Sequence, residues 1–157
     1  YVELGFCGGA TSPPPTKVRD EWLKNLAGQH TLKELGLSGT RVTDEGVGHL
    51  TDLPNLRVLR IAYTPITDVS VAQISTFSQL EELHLGHTRT TDAGVAYLSM
   101  LRKLKTLRLE GTPITDRAAI YLGRMTSLEY LDLRQTGVSE GCVEDLRRAL
   151  PNCYIFG

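Results

Sequence analysis

Leu104-Lys105-Thr106-Leu107-Arg108-Leu109-Glu110-Gly111-Thr112-Pro113-Ile114-Thr115-Asp116 is one of five near-copies of the same phrase, spaced equally along the chain. Leu32, Leu56, Leu80, Leu104 and Leu128 hold its first position, and Leu35, Leu59, Leu83, Leu107 and Leu131 its fourth. Leu37, Ile61, Leu85, Leu109 and Leu133 hold the sixth. The ninth is always Thr (Thr40, Thr64, Thr88, Thr112, Thr136), and an acidic residue stands four further on (Asp44, Asp68, Asp92, Asp116, Glu140). A fixed period of this length is the signature of stacked supersecondary units, and it decides the architecture before local propensity is weighed.

Working outward, the segment 1–31 holds a sixth copy. Glu3-Leu4-Gly5-Phe6-Cys7-Gly8 aligns with Glu34-Leu35-Gly36-Leu37-Ser38-Gly39, while Thr16, Val18, Asp20, Leu23 and Leu26 align with Thr40, Val42, Asp44, Val47 and Leu50. The two alignments differ by seven positions, so an insertion is expected at about 9–15, where Pro13-Pro14-Pro15 cannot join a sheet ladder. The expected units are 1–31, 32–55, 56–79, 80–103, 104–127 and 128–152 within a single 1–157 domain. Residues 153–157 form a stub, in which Tyr154, Ile155 and Phe156 begin another strand.

Each unit carries two periods. The L-x-L step has period two and reads as a short strand with both leucines on one face. The later apolar positions, such as Val95, Leu98 and Leu101, recur at every third position and read as a helix face. Thr43, Thr67, Thr91, Thr115 and Ser139 stand where N-caps are wanted, with an acidic residue in the first turn to suit the helix dipole. One such unit cannot bury its apolar face alone, so strands must align about 4.8 Å apart in a parallel sheet with helices behind it. At the first unit, Trp22 stands where later units have Gly46, Ser70, Gly94, Ala118 and Cys142, and is expected to cap the open end.

Composition agrees. The 157 residues include 24 leucines but 10 aromatics, and the 17 Lys+Arg and 18 Asp+Glu leave a formal net charge of −1. There is no cationic excess to release counterions from a phosphate backbone, so nucleic acid is not an expected partner. No apolar run is long enough to span a bilayer, and no membrane partner is expected. The absence of an initial Met suggests a mature product or fragment. Three cysteines (Cys7, Cys142, Cys153) are too few for a disulfide framework and lean weakly towards a reducing, cytoplasmic compartment.

The pattern resembles a leucine-rich repeat array. The variant G-T-x-(I/V)-T-D-x-G-V is similar to threonine-bearing relatives of the cysteine-containing repeats, which occur in bacteria including planctomycetes and are similar to the repeats of F-box receptors. The resemblance implies an α/β, right-handed solenoid with a parallel β-sheet on the concave face and helices on the convex face. It also implies a non-enzymatic protein–protein interaction module. The family's turn position usually holds Asn or Cys; here Thr16, Thr40, Thr64, Thr88, Thr112 and Thr136 fill it, and a hydroxyl donating to a carbonyl inside the turn would serve the same purpose.

Function is expected on the strand positions that alternate with the buried leucines. The central column reads Gly5, Gly36, Arg60, His84, Arg108, Asp132, flanked by Tyr130 and Arg134, with Tyr63, His87 and Gln135 one step beyond. Arg60 and Arg108 would lie about 10 Å apart across His84, an arrangement suited to an acidic or phosphorylated segment of another protein. Ordinary cross-strand pairs, Arg108 with Asp132 and Glu110 with Arg134, are the plainer alternative. A substrate-recognition role in a ubiquitin-ligase-type adaptor, or service as a spacer or targeting domain of a larger enzyme, also fits the resemblance.

Catalytic readings have less support. His84-x-x-His87 lacks a third metal ligand at suitable spacing, and a threonine nucleophile would need an activating base that does not recur. No catalytic residue, metal site or cofactor is expected.

Overall fold

A computed structural model describes residues 1–3 and 18–157. Thr16, Gly5, Cys7 and the proline-rich insertion lie outside these. Seven short strands form one sheet in chain order: β1 (Val2–Glu3), β2 (Glu34–Gly36), β3 (Val58–Arg60), β4 (Glu82–His84), β5 (Thr106–Arg108), β6 (Tyr130–Asp132) and β7 (Tyr154–Phe156). Every pairing is parallel, and from β2 onward the register advances by one full repeat per strand, with Leu35 opposite Leu59, Leu59 opposite Leu83, and so on to Ile155. The stub thus supplies the seventh strand.

The first repeat corrects the sequence alignment. Val2 lies opposite Leu35 and Glu3 opposite Gly36, two positions away from the expected match of Glu3 with Glu34. A shift of two keeps the same residues on the same face of a strand, so the alternation survives while the register does not.

Each strand returns through a helix: α1 (Asp20–Leu23), followed by a 3-10 turn, α2 (Asp44–Gly48), α3 (Asp68–Ile74), α4 (Asp92–Leu98), α5 (Ala119–Leu122), preceded by a 3-10 turn, and α6 (Glu140–Ala149). Thr43, Thr67, Thr91, Thr115 and Ser139 cap the helical segments, accepting from backbone N–H groups two or three positions on. Between the two layers runs one continuous apolar core, in which Leu35, Leu59, Leu83, Leu107 and Leu131 are fully buried. At about 25 cal/mol per Å² this burial is the main force stacking the repeats.

Two sets of polar links complete the stack. The hydroxyls of Thr40, Thr64, Thr88, Thr112 and Thr136 each donate to the carbonyl three positions back, at 2.6–2.7 Å. These bonds lie inside each turn and satisfy a carbonyl that the chain reversal leaves without a ladder partner. The second set joins neighbours. Asp20, Asp44, Asp68 and Asp92 each accept both the N–H and the hydroxyl of the Thr that caps the next helix, and Asp116 accepts the same pair from Ser139, at 2.6–2.9 Å. The acidic residue therefore does more than suit its own helix dipole.

This joint explains the small residues behind it. A Cβ on Gly46 would strike the Asp20 carboxylate, and one on Gly94 would strike Asp68. Ser70 fits the same place by donating its hydroxyl to Asp44. Trp22, at the equivalent place in the first repeat, meets no carboxylate of a preceding helix among the described residues and is 40% exposed. Partial burial pushes the Asp44 carboxyl up, but the hydrogen bonds from Ser70 and Thr67 outweigh it and hold the group below the usual range. Hydrogen bonds from Ser139 do the same for Asp116.

At the far end, β7 is an edge strand, which in isolation invites pairing with another chain. Arg147 of α6 donates from its guanidinium to the Ile155 carbonyl at 3.1 Å and covers part of that edge.

Candidate functional site

The face of the sheet turned away from the helices carries the alternate side chains of the strands. Parallel register sets Gly36, Arg60, His84, Arg108 and Asp132 in one row, as their spacing requires. What the row does with its charges differs from the simple picture of two arginines flanking a histidine.

Glu82, two positions before His84, stands at the centre. It accepts from Arg60 Nε at 2.9 Å and from a terminal nitrogen at 2.8 Å, and lies 3.1 Å from His84 Nε2. Arg60 also approaches Glu34 at 3.9 Å. The positive charge of Arg60 is thus neutralised within the sheet. His84 is mostly buried, and desolvation, with Arg108 and Arg60 nearby, pushes its pKa down to about 4 against the pull of Glu82. It is neutral at physiological pH.

Asp132 is not open to a partner. It is fully buried, because Arg134 on the same strand folds back on it with two bonds at 2.9 and 2.6 Å, and because β7 lays Phe156 opposite it. Burial pushes the Asp132 carboxyl up, but the bonds from Arg134, with the charges of Arg134 and Arg108, outweigh it and the net direction is down. The Arg134 guanidinium sits 5.2 Å from the centre of the Phe156 ring and holds its proton more firmly than usual. The expected pairs of Arg108 with Asp132 and of Glu110 with Arg134 are replaced by this single one.

Arg108 makes no ion pair among the described residues and acts on Asp132 only through space. Its guanidinium lies 5.3 Å from the Tyr130 ring centre, and its buried Nε has no hydrogen-bond partner among them. The Glu110 carboxylate instead lies over Gly86, where any Cβ would displace it. One of its oxygens is likewise buried without a partner among the described residues. Beyond Arg108, Tyr130, Tyr154 and Phe156 form a ring cluster with centroids 4.6–6.4 Å apart.

At the rim, residues 39, 63, 87, 111 and 135 occupy one column, and all have positive φ. Gly39 and Gly111 adopt it freely, whereas Tyr63 (φ 57°), His87 (φ 55°) and Gln135 (φ 58°) do so at a cost of roughly 1–2 kcal/mol each. The Tyr63 and His87 rings stack at 4.4 Å, nearly parallel, and His87 in turn lies on Gly111. Tyr63 is 57% exposed.

One further column escaped the sequence reading. Lys33, Arg57, Glu81, Lys105 and Glu129 precede their strands at the repeat period and line a shallow groove of about 390 Å³. Arg57 pairs with Glu81 at 3.4 Å and Lys105 with Glu129 at 3.7 Å. The signal was the alternation of sign from Arg57 to Glu129 down a column just outside the L-x-L phrase. On the helical side, a groove of about 430 Å³ is lined by Leu50, Leu53, Gln73 and Phe77, and it gathers no chemistry-bearing cluster among the described residues. Among the described residues, no three His, Cys, Asp or Glu side chains are placed to hold a metal ion. No helix among them is long and apolar enough to cross a membrane.

A search of curated protein sequences finds no match. Residues 28–50 match the family model described as Leucine Rich repeat. A solved leucine-rich repeat protein of Leptospira interrogans superposes with a TM-score of 0.60 at 22% identity, over 82% of this chain. The chain has the leucine-rich repeat fold. It spans 38% of that leptospiral leucine-rich repeat chain, so the fold is what the two share. Leucine-rich repeat folds generally serve protein–protein interaction and are typically non-catalytic.

Proposed function

We propose that this leucine-rich repeat chain is a protein-binding module that docks a segment of a partner protein on the open face of its sheet. The carrying observation is the side-chain content of that face from β3 to β7, where Tyr63, Tyr130, Tyr154 and Phe156 interleave with Arg108 and Arg134. Aromatic and arginine side chains are enriched at interface centres, where a few such anchors carry most of the binding energy. Arg108, Tyr130, Tyr154 and Phe156 stand on strands held by ladders, so little ordering of these four remains to be done on association.

The test is selection of peptides from a random displayed library on the purified chain, followed by two blocking substitutions. Thr106→Arg places a bulky side chain on the open face, and Met100→Arg does so on the exposed helical side. Selected peptides should lose at least tenfold in affinity to the first variant and none to the second. Loss on Met100→Arg alone, or failure to select any peptide, would sink the proposal.

A further inference from the structure

We infer that the docked segment, on the reading just given, carries a carboxylate side chain seated at Arg108 and an apolar side chain about three positions away over Tyr154 and Phe156. Charge complementarity argues the first half. Three arginines face this surface, but Glu82 neutralises Arg60 and Asp132 neutralises Arg134. Arg108, half-buried against Tyr130, forms no ion pair among the described residues and acts on the Asp132 carboxylate only through space, that carboxylate being bonded to Arg134. A carboxylate would give Arg108 the charge-assisted bonds that the fold withholds. A phosphate fits less well, because its nearly double charge would meet one unpaired cation on a strand that continues into the unpaired carboxylate of Glu110.

The second half follows from spacing. β7 lies two strands beyond β5, about 9.6 Å away, a distance that an extended chain crosses in about three residues. There Tyr154 is 62% exposed, edge-on to Phe156 at 4.6 Å, with Tyr130 alongside. An apolar side chain arriving there covers ring faces that the chain itself leaves open to solvent.

The probes are fluorescein-labelled nine-residue peptides of Gly and Ser carrying one Glu and one Trp, separated by one to five positions, with matched Gln and phosphoserine versions. Binding is read by anisotropy. The Glu peptide with the three-position spacing should bind about tenfold tighter than its Gln version. Arg108→Gln should erase that preference, Arg108→Lys should restore part of it, and Arg60→Gln should leave it intact, with circular dichroism checking that each variant folds. Equal binding of the Glu and Gln peptides to the unaltered chain overturns the inference, as do tighter binding of phosphoserine, survival of the preference in Arg108→Gln, or no binding by any Glu peptide. If peptides bind without charge preference yet are lost on Thr106→Arg, docking on the sheet stands and this inference fails. If binding persists in Thr106→Arg, the docking face itself is wrong.

Discussion

Asp68 accepts two hydrogen bonds from Thr91 in the next repeat, one from its backbone N–H at 2.8 Å and one from its hydroxyl at 2.6 Å. Thr91 uses that same hydroxyl oxygen to cap its own helix at Ala93. The pair therefore joins the positioning of one helix to the start of the next, and hydrogen bonds to a charged group contribute about 1.5–3 kcal/mol each. Asp68→Ala should lower stability by about 2 kcal/mol in urea with an unchanged m-value, and Asp68→Asn by less, since its amide oxygen can still accept. A loss below about 0.5 kcal/mol would show that burial alone sets the spacing of the repeats.

Stability should decline as pH falls, in two separable windows. His84 is held to about 4, so between its unfolded value of about 6.5 and about 4 the unfolded chain takes up a proton that the folded one refuses. Asp44 and Asp116 are held below the carboxylate range, so the stability they contribute above about pH 4 is lost as acid protonates them. Urea unfolding across pH 7 to 3 should show both effects. His84→Asn should flatten the decline between 6.5 and 4 by about one proton and leave the acid limb in place. An unchanged slope would mean that His84 titrates normally in the fold.

Gly94 and Gly141 make a matched pair. A Cβ at Gly94 would strike the Asp68 carboxylate and crowd Thr90, whereas one at Gly141 in α6 meets nothing within 4 Å. Gly94→Ala should cost up to about 1 kcal/mol by forcing the Asp68 carboxylate to shift, although alanine is the better helix former and the equivalent joint beside Ala118 keeps both of its bonds. Gly141→Ala should gain about 0.5 kcal/mol. Thermal unfolding of the two variants decides it; equal shifts would remove the steric reading.

The rim column offers a test of strain. Gln135 is exposed and left-handed, in a column whose members at 39 and 111 are glycines. Gln135→Gly should stabilise the chain by about 0.5–1 kcal/mol, while Tyr63→Gly should gain less because it also gives up the stack on His87. A destabilised Gln135→Gly would show that the turn imposes no cost.

The repeating phrase made the solenoid legible, because the positions of Leu35, Leu59, Leu83, Leu107 and Leu131 leave one way to bury them together. The capping threonines were equally plain. Pairing was harder to read. That Asp68 reaches Thr91 depends on an offset one position short of a full repeat, whereas the sequence shows each Asp most directly beside its own helix. Likewise, the row Arg60, His84, Arg108 follows from register, but Glu82 neutralising Arg60, and Arg134 folding back to close Asp132, depend on rotamers that no spacing reveals. The first repeat misled because Glu3-Leu4-Gly5 copies Glu34-Leu35-Gly36, while the structured pairing begins at Val2.

The carboxylate-to-hydroxyl joints all run the same way, each Asp accepting from the Thr or Ser that follows it. The segment 68–91 therefore carries both halves of a connector, an outgoing Asp68 and a receiving Thr91. A duplicate of that cassette, inserted after Thr91, would regenerate the carboxylate-to-hydroxyl joints at its two seams. The array is extensible by copying as far as its joints are concerned, and what a copied repeat would alter is the open face, where Glu82 would stand opposite its own duplicate.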